Sequence, residues 1–119
     1  MSFAERRRST RATVDFFVQE RRGDKTHLHP AIDLSVDGLY VIVMDDQRAI
    51  DPTQSMDVEF TLPTGTTVRT VVRVAYIDDR HGQRGLGLQF SDLENDARIS
   101  IERFVEASVS TRERSSSAN

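Results

Sequence analysis

Four arginines, Arg6, Arg7, Arg8 and Arg11, stand just ahead of the first stretch with strand periodicity, and the segment Asp33-Leu-Ser35-Val-Asp-Gly38 follows it. Guanidinium groups are planar, permanently charged forks that suit phosphates and can lie flat on aromatic bases. Asp33 and Ser35 supply carboxylate acceptors and a hydroxyl able to read a base edge. Gly38 lets the backbone turn tightly. Together these residues describe a pocket for a small nucleotide with several phosphate charges. They do not describe a catalyst. Ser35 lacks the glycine-flanked elbow of a nucleophilic serine, so a hydrolase triad of His27, Asp33 and Ser35 is not expected. Gly85-Leu-Gly87 precedes a strand and is too short for a dinucleotide fingerprint.

The remaining candidates for chemistry are few. His27 and His29 sit one residue apart on an expected strand and face the same way, a spacing that can bind a metal. With His81 the third histidine and no cysteine in the chain, a surface pair is the expectation, with no metal site and no cofactor. The helical stripe from Leu93 to Val105 reads as core rather than as a partner groove.

The 119 residues fit one domain, long enough to bury a core without disulfides or a metal. Hydrophobic residues make up 37% and aromatics 7%, so the core must rely on Val, Ile and Leu. The absence of cysteine excludes disulfides and thiolate chemistry, and a reducing cytoplasm is the simplest compartment. No apolar run approaches the roughly 18 residues of a membrane span, so no membrane insertion is expected, and the charged N-terminus lacks the apolar centre of a signal peptide. Net charge is −3, from 16 basic and 19 acidic side chains, which argues against a general nucleic-acid binder. Positive charge is focused on residues 5–11, while residues 45–59 and 92–96 are acid-rich.

These side chains need a frame. Residues 1–11 lack periodicity and read as a flexible arm. From Ala12 to Glu20, Val14, Phe16 and Val18 alternate with polar neighbours, predicting a half-buried strand with Phe17 left on the outer face. A second strand is expected over Thr26–Leu34, with Pro30 marking an edge or bulge. A third, over Leu39–Met44, is apolar enough for burial on both faces. Met56, Val58, Phe60 and Leu62 alternate cleanly. After the turn Pro63-Thr64-Gly65-Thr66, a strand is expected over Thr67–Asp78, with Arg69 and Arg73 opposite Val68, Val72 and Val74. Gly85–Phe90 follows. Ser91 and Glu94 match a capping box, and Leu93, Ala97, Ile101, Phe104 and Val105 recur at helical spacing. The expected fold is mainly β: a six-stranded antiparallel barrel with one C-terminal α-helix. Residues 12–107 form this unit, and a disordered tail is expected over 108–119.

Arg7-Arg-Ser-Thr-Arg11 fits an RxxxR motif and Asp33-Leu-Ser35-Val-Asp-Gly38 a [D/N]xSxxG motif. One strand and a turn separate them, and Gly-Leu-Gly-Leu-Gln-Phe precedes a terminal helix. In these motifs and their order, from about Glu5 to Val105, the chain resembles the PilZ domains, bacterial receptors for cyclic di-GMP, and looks like a single-domain member.

The resemblance implies that Arg7 and Arg11 clamp phosphates and stack on guanine. It implies that Asp33 and Ser35 bond the guanine edge and nearby phosphate oxygens, and that Gly38 keeps the floor of the site open. It implies no enzymatic activity. The output would be a conformational change that presents a new surface to a downstream protein partner, in motility or another second-messenger response. Arg6 and Arg8 are further ligand contacts to consider, Arg6 if the nucleotide binds as an intercalated dimer. Asp37 departs from the small residue common before the motif glycine, and an inward carboxylate there would oppose an anionic ligand. Two other readings are weighed. One is a PilZ-like interaction module that binds no nucleotide. The other is an oligonucleotide-binding barrel, which would need an aromatic platform that Phe16, Phe17, Tyr40 and Tyr76 do not evidently form.

Overall fold

The computed structural model describes residues 10–44, 51, 53–80 and 82–117, with side chains as far as Ser110. Six strands, β1 (Ala12–Arg22), β2 (Lys25–Leu34), β3 (Gly38–Val43), β4 (Ser55–Thr61), β5 (Thr67–Arg80) and β6 (Gln83–Phe90), are followed by one helix, α1 (Asn95–Ser117). The strands close into an antiparallel barrel in the order β1-β2-β3-β6-β5-β4. Closure is made by β1 on β4, where Gln19, Glu20 and Arg21 pair with Glu59, Val58 and Asp57. A closed barrel leaves no long edge for stray pairing. Pro30 pairs with Phe17 of β1, while pairing of β2 with β3 begins at Ala31. The ring nitrogen that cannot donate therefore sits where β2 has no second neighbour, as the edge expectation required.

The alternation in the sequence becomes an inside and an outside. Val14 and Val18 of β1, Val58 and Phe60 of β4, Val68 and Val72 of β5, and Leu86 and Leu88 of β6 point inward and are buried. Phe60 is the centre of an aromatic stack, with Phe16 at 5.5 Å between ring centroids and Phe90 at 6.2 Å. Such pairs add about 0.5–1.5 kcal/mol beyond their buried area. Bulges keep the alternation in phase where strands bend. Between Thr13 and Phe16 the β1–β2 register shifts, and between Val74 and Tyr76 the β5–β6 register does the same.

The helix seats on β1 with Ile101 and Val105 in the core and Leu93, Ala97 and Phe104 packed beside them, the stripe read from the sequence. Its two ends differ from expectation. Ser91 donates its N–H to the Val71 carbonyl at 2.9 Å, extending the β5–β6 hairpin by one residue. Ser91 lies too far ahead of Asn95, where the helix begins, to be its cap. Glu94 takes that place, its carbonyl accepting the Arg98 N–H at 2.9 Å, and the capping box is not formed. At the other end, the tail expected to be disordered from Ser108 is helical through Ser117. No Gly or Pro interrupts it, and each added residue of a nucleated helix gains one backbone bond. No helix of the described residues is long and apolar enough to cross a membrane.

Candidate functional site

Arg11 immediately precedes β1, and Asp33 is the second-last residue of β2. The antiparallel β1–β2 register brings Thr13 opposite Asp33, so the end of the arm arrives beside the second motif. There Arg11 Nη1 donates to Asp33 Oδ1 at 2.6 Å, with 46% and 27% of the two side chains exposed. Two motifs read separately in the sequence are thus joined by a charge-assisted hydrogen bond on the outer face of the barrel. Arg6, Arg7 and Arg8 lie outside the described residues.

Between β2 and β3 the chain turns through Ser35–Gly38. The Ser35 N–H donates to the Gly38 carbonyl at 2.9 Å, and the Ser35 Oγ accepts the Asp37 N–H at 3.1 Å. Ser35 is fully buried. Its hydroxyl shapes the turn, a common task of serine near glycine. Asp37 is exposed, and its carbonyl accepts the Phe90 N–H at 2.9 Å, which ties the turn to the end of β6. Gly38 serves a purpose other than the expected tight turn, since its φ is not positive. A Cβ built on Gly38 would stand 1.9 Å from the Leu88 carbonyl oxygen. Glycine is needed there because β3 and β6 approach too closely for any side chain.

Beyond Asp33 the outer face continues as an aromatic ledge that the sequence reading missed. The register sets Asp33 opposite Tyr40, Tyr40 opposite Gly87, and Gly87 opposite Tyr76, one outward row across β2, β3, β6 and β5. The two tyrosine rings stack at 6.2 Å between centroids and 27° between planes. Tyr40 is buried, covered by Arg80, whose guanidinium carbon lies 4.3 Å from the ring centroid. Its hydroxyl donates to Asp78 Oδ1 at 2.5 Å, and Arg80 Nε also reaches Asp78, at 3.2 Å. Burial first, and then the Asp78 carboxylate, push the Tyr40 hydroxyl up to about 12. Gly85 and Gly87 make room: added Cβ atoms would meet the Tyr40 hydroxyl at 1.8 Å and the Tyr76 ring at 2.1 Å. The signal in the sequence was the Gly-x-Gly spacing on a strand, which leaves a smooth strip for rings from its neighbours.

A second polar cluster lies inside the barrel. Glu20 is 2% exposed and His29 6%, so the histidine expected at the surface is buried. Glu20 accepts Arg22 Nε and Nη2 at 3.0 and 2.9 Å and lies 2.8 Å from His29 Nε2. Burial raises the Glu20 carboxyl, but hydrogen bonds from His29 and Arg22, with the Arg22 charge, outweigh it and hold the group below its usual range. An ionised carboxylate only accepts, so Nε2 carries the hydrogen. Strand alternation set His27 and His29 on one face, as read, but that face is the interior. Among the described residues no group of three His, Cys, Asp or Glu side chains could hold a metal.

The family model of the PilZ domain matches residues 5–107, which spans both motifs, the barrel and most of α1. This chain belongs to the PilZ domain family. Among solved structures it is similar to the PilZ domain of YcgR from Escherichia coli, determined with c-di-GMP, at 18% identity and a TM-score of 0.76 over 93% of this chain and 98% of that one. It is also similar to the Bacillus subtilis inhibitor of motility MotI/DgrA, at 15% identity and a TM-score of 0.76, and to YcgR in complex with c-di-GMP, at 18% and 0.69. The PilZ chain covers 84% and 96% of its own length in these two matches but spans about half of the partners, 49% and 51%. At such identities the likeness is one of fold. No curated protein matches the chain. PilZ domains are receptor and effector modules.

Proposed function

We propose that this PilZ chain is a receptor for cyclic di-GMP, without catalytic activity, that changes shape on binding and signals through a downstream protein. The observation that carries the reading is the Arg11–Asp33 contact of 2.6 Å, between the last residue of the RxxxR motif and the first of [D/N]xSxxG. Cyclic di-GMP has two phosphate charges and two guanine bases, so it needs cations and edge acceptors side by side. A guanidinium has five N–H donors, and Arg11 can hold Asp33 and a phosphate together. Asp33 then accepts from the N–H groups of a guanine edge. Ser35 and Gly38 keep the turn and the floor in place, and Arg7 supplies the second clamp. Arg6 and Arg8 extend the cationic arm, Arg6 towards a second nucleotide if two bind. Ordering the arm on the ligand costs chain entropy and yields the change of shape a partner can sense.

Calorimetry with cyclic di-GMP, cyclic di-AMP and GTP tests this. Cyclic di-GMP is expected to bind at micromolar concentration or below, with Arg7→Ala and Asp33→Ala each losing most of the affinity. A stoichiometry that falls in Arg6→Leu would mark a dimeric ligand. Wild-type protein that gives no heat with cyclic di-GMP would refute the receptor reading and leave an interaction module in its place.

A further inference from the structure

Three large apolar side chains stand together on the outer face of the β1–β2 hairpin. Phe17 is 58% exposed, Leu28 54% and Ile32 40%. The register sets Phe17 opposite the half-buried Pro30 and Gln19 opposite Leu28, so the patch runs across both strands. Phe17, Leu28 and Ile32 neither belong to the core nor pack against it. Exposed apolar surface gathered in one place marks a contact site, whereas scattered residues do not. Pro30 carries no N–H and blocks strand-on-strand pairing at the open side of β2. The face of the hairpin is what is offered.

The charges around the patch say what covers it. Asp15 and Arg21, both exposed, lie on the outward side of β1, three residues before and three after the buried Val18. Neither makes an ion pair among the described residues. At about 3.4 Å per residue, each stands about 10 Å from the middle of the patch. Consider two copies laid face to face about a two-fold axis that crosses the strands at the level of Val18 and its neighbour His29. They run antiparallel, β1 on β1 and β2 on β2. Asp15 of each copy then faces Arg21 of the other, and Phe17 comes against the Gln19–Leu28 pair of the second copy. Facing sheets lie about 10 Å apart, a gap that a carboxylate and an arginine stem span from opposite sides. An isologous interface requires a surface complementary to itself. This face meets the requirement in its apolar centre and at its charged ends.

We infer that the outer face of the β1–β2 hairpin is a self-association surface, on which a second copy of this chain packs about a two-fold axis at Val18. The pairing needs no nucleotide and stands whether or not the chain binds one. The patch is small beside a standard interface of about 800 Å² per partner. The dimer is therefore weak and concentration-dependent, with a dissociation constant of roughly 10–1,000 μM.

Sedimentation equilibrium of the full chain, at concentrations up to about 1 mM, reads the association. Wild type is expected to show a monomer–dimer equilibrium, and Phe17→Ser to remain monomeric over the same range. Asp15→Arg and Arg21→Asp each set like charges opposite one another twice. Each is expected to weaken self-association about 10-fold. An equimolar mixture of these two variants re-forms both opposite-charge contacts and is expected to associate as wild type does. That rescue separates a paired face from a loss of folding, since both chains must be folded to give it. Wild type that stays monomeric throughout overturns the inference and leaves the patch to a different protein. Dimers that persist in Phe17→Ser, or a mixture that associates no better than its components, overturn it as well.

Discussion

The α-carbon of Gly38 faces the Leu88 carbonyl so closely that a methyl group there would lie 1.9 Å from the oxygen. The obstacle is backbone, so no rotamer relieves it. The seam between β3 and β6 is thus built on a motif residue, which makes the glycine structural before any ligand arrives. Gly38→Ala is expected to lower stability by about 1–3 kcal/mol, the usual cost of forced overpacking. Urea unfolding without nucleotide measures it. Unchanged stability would contradict a structural role for Gly38.

Arg11 and Asp33 predict the opposite pattern. Their pair is substantially exposed, and exposed ion pairs contribute about 0–1 kcal/mol. Arg11→Ala should therefore hardly shift the unfolding midpoint. It should weaken cyclic di-GMP binding about 10- to 100-fold, as expected for hydrogen bonds to charged groups, and added salt should weaken wild type more than the variant. Calorimetry at two salt concentrations checks both.

The Glu20 carboxyl is held below its usual range by His29 and Arg22 in spite of its burial. A depressed folded value adds stability that is present above the unfolded value, about 4.3 for glutamate, and is lost as pH falls through the folded value. Wild type should thus lose stability below about pH 4.3 more steeply than Glu20→Gln. At neutral pH, Glu20→Ala should cost about 1–3 kcal/mol, because the buried His29 Nε2–H is left without its acceptor. Urea titrations across the acid range give both numbers.

Tyr40 makes an alkaline prediction. Its hydroxyl is raised to about 12 by burial and by Asp78. The neutral hydroxyl stabilises the fold below the ordinary phenol value of about 10, and that contribution is lost as pH rises through the folded value. Ultraviolet titration should show a late ionisation step that Tyr40→Phe abolishes. A wild-type curve lacking that step would contradict the Tyr40–Asp78 contact.

Much of this molecule was legible in one dimension because its signals are local. Alternation at Val14–Val18 and Met56–Leu62 names strands and a stripe from Leu93 to Val105 names a helix, since side-chain direction along a strand or helix follows from backbone geometry alone, and two short motifs in order name the family. What alternation cannot say is which face is inside or which distant residues meet. His29 went to the interior because Glu20, nine positions away, was waiting there as its acceptor. Ser91 extends the β5–β6 hairpin by bonding the Val71 carbonyl, and the helix begins only at Asn95. The ledge of Tyr40 and Tyr76 exists because closure of the barrel lays β6 between β3 and β5, with glycine beneath each ring. Residue types and spacing determined the elements and the family. Register between strands far apart in the chain decided the neighbours, because pairing partners are chosen by the closed sheet as a whole and leave no trace in local periodicity.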